Sequence, residues 1–144
     1  MKAIYNALLG QLQTITQLKY IDMDTGQLEV GFAETKRPPI AYPAALISIS
    51  VNRQQDITEV SQLCNARVTI CIADDTYMRT AAHQSERSRS LQIYDLVEEV
   101  RECLQGFTGG ETFSPLSRVS QERERQSNGL FVYRLDFETT FIQA

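Results

Sequence analysis

The chain has 144 residues, enough for one domain with a substantial core, and we expect residues 1–144 to form that single domain. Its 14 basic and 18 acidic residues argue against nucleic acid as the main partner, because nucleic-acid binders usually present a basic surface. No stretch is apolar enough for a membrane span, and polar residues interrupt any signal-peptide core near the start. We therefore expect synthesis in a bacterial cytoplasm and no membrane partner.

The first part of the chain predicts one helix and one strand before a loop. Apolar residues at three- and four-residue spacing predict a helix over residues 4–18. A turn at residues 24–26 is followed by alternating apolar residues, which predict a short strand at residues 28–32. Three prolines in residues 34–43 remove backbone donors and predict a loop.

Two further strands are predicted in the middle of the chain. Residues 45–51 and 67–73 each place β-branched apolar residues at alternate positions, as expected for half-buried strands that are neighbours in one sheet. The polar residues 52–65 between them are expected to form a connection with room for a helical turn.

A long polar segment, residues 74–89, leads to the second predicted helix at residues 91–105. Ser88 or Ser90 can accept a hydrogen bond from a free backbone N–H at its start, and Gly106 can end it in a left-handed conformation. Acidic residues occupy one side of this helix. The other side carries the apolar residues Ile93, Leu96, Val97, Val100, Leu104 and Phe107.

After a break at Gly109-Gly110, the chain predicts a β-hairpin made of residues 113–125 and 130–142. In its second strand, Val132, Arg134, Asp136, Glu138 and Thr140 share one face. The opposite, core-facing side carries Phe131, Tyr133, Leu135, Phe137 and Phe141.

The turn of this hairpin fixes which residues pair across it. A two-residue turn at residues 128–129 would place Arg123 opposite Arg134, which is unfavourable for like charges. A three-residue loop at residues 127–129, with Gly129 left-handed, shifts the pairing by one residue. We predict this loop and the cross-strand pairs Glu122–Arg134, Arg118–Glu138 and Val119–Phe137.

Common catalytic motifs are missing from the sequence: there is no phosphate-binding loop, dinucleotide fingerprint, zinc-protease motif or nucleophile elbow. Residues 22–26 begin like a calcium loop, but the glycine comes one position early and no glutamate closes the loop, so we predict a plain turn. The three cysteines, which lack the spacing of a metal site, are expected to be free thiols.

His83 is the only histidine, and we interpret it as an exposed loop residue. We interpret Asp74-Asp75 as a polar strand end. The competing interpretation is an enzyme that uses His83 with a cysteine or with these two aspartates, and it requires the groups to converge in a pocket. We assign no catalytic, cofactor-binding or metal-binding residue and expect no cofactor and no catalytic activity.

The charged block at residues 121–125 predicts a strand with acidic residues on one face and basic residues on the other. One interpretation is a solvated hairpin tip whose arginine stems cover aromatic rings. The other is an arm that pairs its charges with a neighbouring subunit, and it gives the candidate interface residues Arg118, Glu122, Arg123, Glu124 and Arg125.

Two short motifs stand in the second helix and the last strand. Their residues are Leu96-Val97, Val100, Leu104 and Gly106-Phe107, followed by Tyr133, Leu135 and Phe137. Together with the order of helix, strands and proline-containing loop, they resemble the small tail proteins of Mu-like bacteriophages and, more broadly, the tail terminator (tail completion) proteins of long-tailed bacteriophages.

The resemblance implies an α+β domain, which here would have two main helices packed on a mostly antiparallel sheet of about four to five strands with a C-terminal β-hairpin. It also implies a homo-oligomeric ring, typically a hexamer, in the virion tail. Such a ring stops growth of the tail tube and has the tail tube protein and the head–tail connector protein as partners. A small monomeric adaptor or binding module without catalytic activity is the alternative function.

Overall fold

The computed structural model describes residues 1–28, 40–75, 87–124 and 130–143, with only the backbone described for residues 87–90. The elements form one five-stranded sheet with the strand order β1-β2-β3-β5-β4. Strand β1 pairs parallel with β2, and the other neighbours pair antiparallel. The elements in chain order are α1 (Lys2–Leu12), β1 (Tyr20–Met23), β2 (Ala44–Asp56), β3 (Gln62–Asp74), α2 (Arg87–Leu104), β4 (Ser117–Glu124) and β5 (Phe131–Gln143).

The described residues therefore form the predicted α+β fold, with two helices and a sheet of five strands where about four to five were expected, although the parallel β1–β2 pair makes the sheet mixed. Both helices contribute side chains to one buried cluster on one face of the sheet. The sheet residues at its centre are Ile47, Ile70 and Leu135, which are aligned across β2, β3 and β5. Leu8 of α1 and Val100 of α2 are fully buried in the same cluster.

Helix α2 follows its predicted periodicity, begins four residues before the predicted start and ends before Gly106, whose φ of 78° is the predicted left-handed conformation. Helix α1 begins two residues before its predicted start and ends at Leu12, six residues before its predicted end. The Thr14 hydroxyl donates to the Gln11 carbonyl oxygen at 2.7 Å, so a local side-chain bond competes with the helical pattern there. Ile15 and Leu18 are nevertheless buried, from turns that follow the helix.

The prediction that residues 52–65 form a separate connection was wrong. Strands β2 and β3 continue through most of this segment and leave only residues 57–61 as a turn. The hydroxyl of Thr58 accepts hydrogen bonds from the backbone N–H groups of Val60 and Ser61, which stabilises that turn. Apolar alternation stops at residues 52–60 because these are exposed on both faces, while Cys64 of β3 remains buried.

Strand β1 was not predicted. It lies between the predicted first helix, which was expected to end at residue 18, and the turn predicted at residues 24–26, and it pairs with residues 44–47 of β2. Leu28, the first residue of the strand predicted at 28–32, lies in a turn, and the rest of that predicted strand is outside the described residues. Most of the predicted loop at 34–43 and His83 are outside them as well.

Strands β4 and β5 pair with Glu122 opposite Arg134, as predicted, and with Arg123 opposite Tyr133. A β-bulge between Arg118 and Ser120 then shifts the register by one residue. The other two predicted pairs are therefore wrong, since Phe137 faces Arg118, Glu138 faces Ser117 and Val119 has no partner residue in the ladder. The loop predicted at residues 127–129 lies outside the described residues.

Two glycines allow the same substitution to be compared in opposite environments. Gly10 lies inside α1 with no atom near the position of an added Cβ, so Gly10→Ala should raise the free energy of unfolding by about 0.5–1 kcal/mol. Gly109 has a φ of 59°, and an added Cβ would lie 2.8 Å from Cε1 of Phe113. Gly109→Ala should lower the free energy of unfolding by at least about 1–2 kcal/mol. Urea denaturation of both variants measures the difference, and shifts of the same sign would contradict this packing.

Candidate interaction surface

A charged cluster centred on Arg134 occupies the face of the sheet that the helices leave uncovered. Its guanidinium group forms ion pairs with three carboxylates on β4 and β5. The Nη2 atom contacts Glu122, Nη1 lies 3.0 Å from Oε1 of Glu124, and Nε lies 3.4 Å from Oδ2 of Asp136. Strand alternation explains the arrangement, because alternate residues point to the same face and the register brings Arg134 opposite Glu122.

Asp136 is the most buried member of this cluster, with only 4% of its surface exposed. Its carboxylate accepts hydrogen bonds from the hydroxyl groups of Thr69, at 2.6 Å, and Ser120, at 2.8 Å. Burial alone would raise the pKa of Asp136, but these two hydrogen bonds and the charges of Arg134 and Arg67 together hold the pKa below its ordinary value. The ionised carboxylate therefore ties β3, β4 and β5 together.

A concave cavity of about 750 Å³ opens beside this cluster. Ser48, Thr69 and Cys71 line it from β2 and β3, and Asp24 lines it from the turn after β1. A small apolar cluster lies next to it on the same face and consists of Leu28, Ala44, Leu46, Cys71, Ala73, Leu130 and Val132. The lining is mainly polar, so the cavity suits a charged or hydrogen-bonding partner better than an apolar ligand.

The described residues offer little for catalysis or metal binding. Burial raises the pKa of the Cys71 thiol to about 12, so this side chain is not a nucleophile near neutral pH. Asp24 Oδ1 accepts the Gly26 backbone N–H at 3.0 Å in the turn predicted at residues 24–26, whereas Asp22 and Met23 belong to β1. Within residues 1–28, 40–75, 87–124 and 130–143, no three His, Cys, Asp or Glu side chains are grouped so that they could hold a metal ion.

The outer edge of β4 carries the other candidate residues. Arg123 and the pair Glu122 and Glu124 point to opposite faces, as predicted, while Arg125 lies outside the described residues. The guanidinium carbon of Arg123 lies 4.9 Å from the centre of the Phe131 ring, a cation–π contact. Arg118 donates from Nη1 to Gln121 Oε1 and from its backbone N–H to Gln105 Oε1.

The sequence predicted the charges of β4 but not the cluster around them. Arg134, Asp136 and Glu138 were correctly placed on one face of β5, and Thr69, Ser120 and Asp24 were not predicted to join that face. The signal available was the run of polar residues at alternate positions of β5, which is unusual for a strand paired on both sides.

Comparison with known proteins supports only the fold. No protein-family model and no curated protein matches the chain. Among solved structures, the chain is similar to a chain of the "Virion of native gene transfer agent (GTA) particle", with a TM-score of 0.54 and 11% sequence identity. The similarity covers 96% of this chain and 94% of that one, so it extends over the whole fold. Among the helices that the structure describes, none is long and apolar enough to cross a membrane.

Asp136 gives a pH-dependent contribution to stability. Because its pKa is lowered by folding, this contribution is complete above the ordinary aspartate pKa of about 3.9 and is lost as the pH falls through the lower folded value. Asp136→Asn should lower the free energy of unfolding by about 1.5–3 kcal/mol at neutral pH, and the difference from wild type should shrink in acid.

Urea denaturation from neutral to strongly acidic pH measures this difference. Glu138→Gln is the matched control, because Glu138 is exposed and its single ion pair with Arg67 spans 3.4 Å. This control should change stability by less than about 1 kcal/mol at neutral pH. A difference between wild type and Asp136→Asn that stays constant with pH would refute the proposed role.

The thiols should differ in reactivity according to their burial. Cys71 is buried and its pKa is raised to about 12, whereas Cys103 is partly exposed. Alkylation of the native protein, followed by peptide mass spectrometry, should modify Cys103 first and leave Cys71 unmodified until urea unfolds the chain. Equal rates for the two thiols in the native protein would contradict the packing of the apolar cluster around Cys71.

Proposed function

We propose that this protein is a structural component of a phage-like tail, namely a tail terminator that forms a ring on the end of the tail tube and meets the head connector. The observation that carries the proposal is the similarity of fold, over 96% of the chain, to a chain of a gene transfer agent virion. The motifs that resemble those of tail terminators lie in α2, in the residues Gly106-Phe107 just after it, and in β5. The proposed site of action is the virion tail, after assembly in the cytoplasm of the host bacterium.

A closed ring needs head-to-tail contacts, and these require two different patches on each subunit. The arm around β4 is the proposed source of one patch, through Arg118, Glu122, Arg123, Glu124 and Arg125. Its two faces carry opposite charges along the described part of the strand, so a neighbouring copy can be held in one orientation. The proposal needs no catalytic residue and no cofactor.

A small monomeric adaptor is the second candidate function. The observation that favours it is the cavity of about 750 Å³ on the uncovered face, whose size is within the range of about 300–1,000 Å³ found for ligand sites. An adaptor would use this cavity for a peptide or another polar ligand and would not assemble with itself.

Solution mass separates the two candidates. Light scattering across a wide range of protein concentrations should show a shift from monomer to a closed species of defined size, which we expect to be a hexamer. Negative-stain electron microscopy of the same samples should show rings with a central opening. A monomer at every concentration, without rings on the grid, would contradict the terminator proposal and favour the adaptor.

A further inference from the structure

The structure carries two patches of opposite charge on opposite faces of the sheet. We propose that they bind each other between copies, so that the arginines at the edge of β4 in one copy pair with the carboxylates on the face of the sheet opposite the helices in the next copy. This inference rests on the proposed ring and specifies its contact surfaces.

The first patch, called the acidic face, has more carboxylates than cations. Among the described residues its cations are Arg67, Arg134 and Arg53, which lies beside Glu138, and five carboxylates against these three leave a formal excess of two negative charges. Glu122 and Glu138 have side chains that are 61% and 53% exposed, so they can accept further partners. The carboxylates of the acidic face are Asp24, Glu122, Glu124, Asp136 and Glu138.

The second patch, called the basic edge, consists of Arg118 and Arg123 on the helix side of β4. Both residues are exposed, and neither forms an ion pair with another residue in the part of the chain that the structure describes. The nearby helix α2 is acidic, but its Arg101 already contacts Glu98 and Glu102. The basic edge therefore offers two cations that form no ion pair with the described residues, although Glu98 of α2 lies close enough to Arg118 for their charges to attract.

The β4 edge is better suited to contact through side chains than through added backbone hydrogen bonds. The bulge between Arg118 and Ser120 interrupts its ladder, and bulges and charges at an edge disfavour pairing with a further strand. The side chains of Arg118 and Arg123 are thus the groups through which a second copy can be recognised. The cavity provides a concave surface that can receive them.

The positions of the two patches also favour a ring. Glu122 and Glu124 belong to the acidic face, while Arg123, between them in sequence, belongs to the basic edge. Because the patches point to opposite sides of the sheet, each copy can bind one neighbour with its acidic face and another with its basic edge. Repetition of this head-to-tail contact closes a ring when the rotation between copies permits it.

Two complementary variants test the contact. Arg118→Glu with Arg123→Glu makes the basic edge acidic, and Glu122→Lys with Glu138→Lys makes the acidic face less acidic by four charge units. In each variant the basic edge of one copy and the acidic face of the next then carry charges of the same sign. Each variant alone should therefore assemble at least about a hundredfold more weakly than wild type. In an equal mixture, each edge can meet a matching face on the other variant, and rings of alternating copies should return.

Native mass spectrometry and light scattering measure assembly, and circular dichroism with thermal unfolding checks that each variant is folded. Lys2→Glu with Lys19→Glu gives the same change in net charge as the basic-edge variant, at exposed sites outside both patches, and this control should assemble like wild type. Glu122→Gln with Glu138→Gln removes the same two carboxylates without adding lysines beside Arg67 and Arg134. This variant should also assemble more weakly than wild type.

The outcomes separate the contact from the proposed function. Loss of rings in each folded variant and their recovery in the mixture would support the contact. The proposed contact would be overturned if either charge-reversed variant formed rings as readily as wild type. It would also be overturned if the two folded variants did not form rings when mixed. In both cases, rings of the wild-type protein would still support the terminator proposal. Absence of rings from wild-type protein would overturn both proposals.

Discussion

The two described helices cover one face of the sheet, and the described residues of the other face are stabilised by different means. On the covered face, isoleucine and leucine residues of β2, β3 and β5 are removed from water by α1 and α2. On the uncovered face, Asp136 is nearly inaccessible to water, and a buried carboxylate is costly unless it is hydrogen-bonded and paired. Thr69, Ser120 and Arg134 satisfy that requirement, and in doing so they link three strands and organise the charges of the candidate surface.

The fold was predictable where a repeating pattern matched its burial. Helix α2 and the centres of β2, β3 and β5 have buried faces that follow the periods of a helix or a strand, so their apolar residues recur accordingly. The exposed end of β2 carries no such pattern, and the start of β3 has the single buried residue Cys64, so periodicity predicts a connection there instead of two strands. Strand β1 has only four residues and pairs with residues more than twenty positions away, so its existence depends on tertiary pairing that local sequence does not encode. The bulge in β4 likewise depends on packing against β5, and it accounts for the two incorrectly predicted pairs.

Prediction from the sequence was limited in the same way for the polar residues of the candidate surface. The opposite orientation of Glu122 and Arg123 follows from strand alternation alone and was predicted from the sequence. The contacts of Asp136 with Thr69 and Ser120 connect residues 67 and 16 positions apart, and they exist only because the order β3-β5-β4 brings three strands together. A sequence pattern can therefore indicate which face a charge occupies, but the strand order determines which other charges it meets.

Both patches are ordered before any partner binds. Ion pairs and hydrogen bonds within the subunit already hold the central carboxylates of the acidic face, and the Phe131 ring and Gln121 hold the arginines of the basic edge. In the proposed ring, association would therefore lose less side-chain entropy than it would with free arginines and glutamates. Charge pairs between exposed groups give orientation and selectivity more than affinity. Such an interface suits a ring that must add copies in one register, because a misplaced copy would bring like charges together.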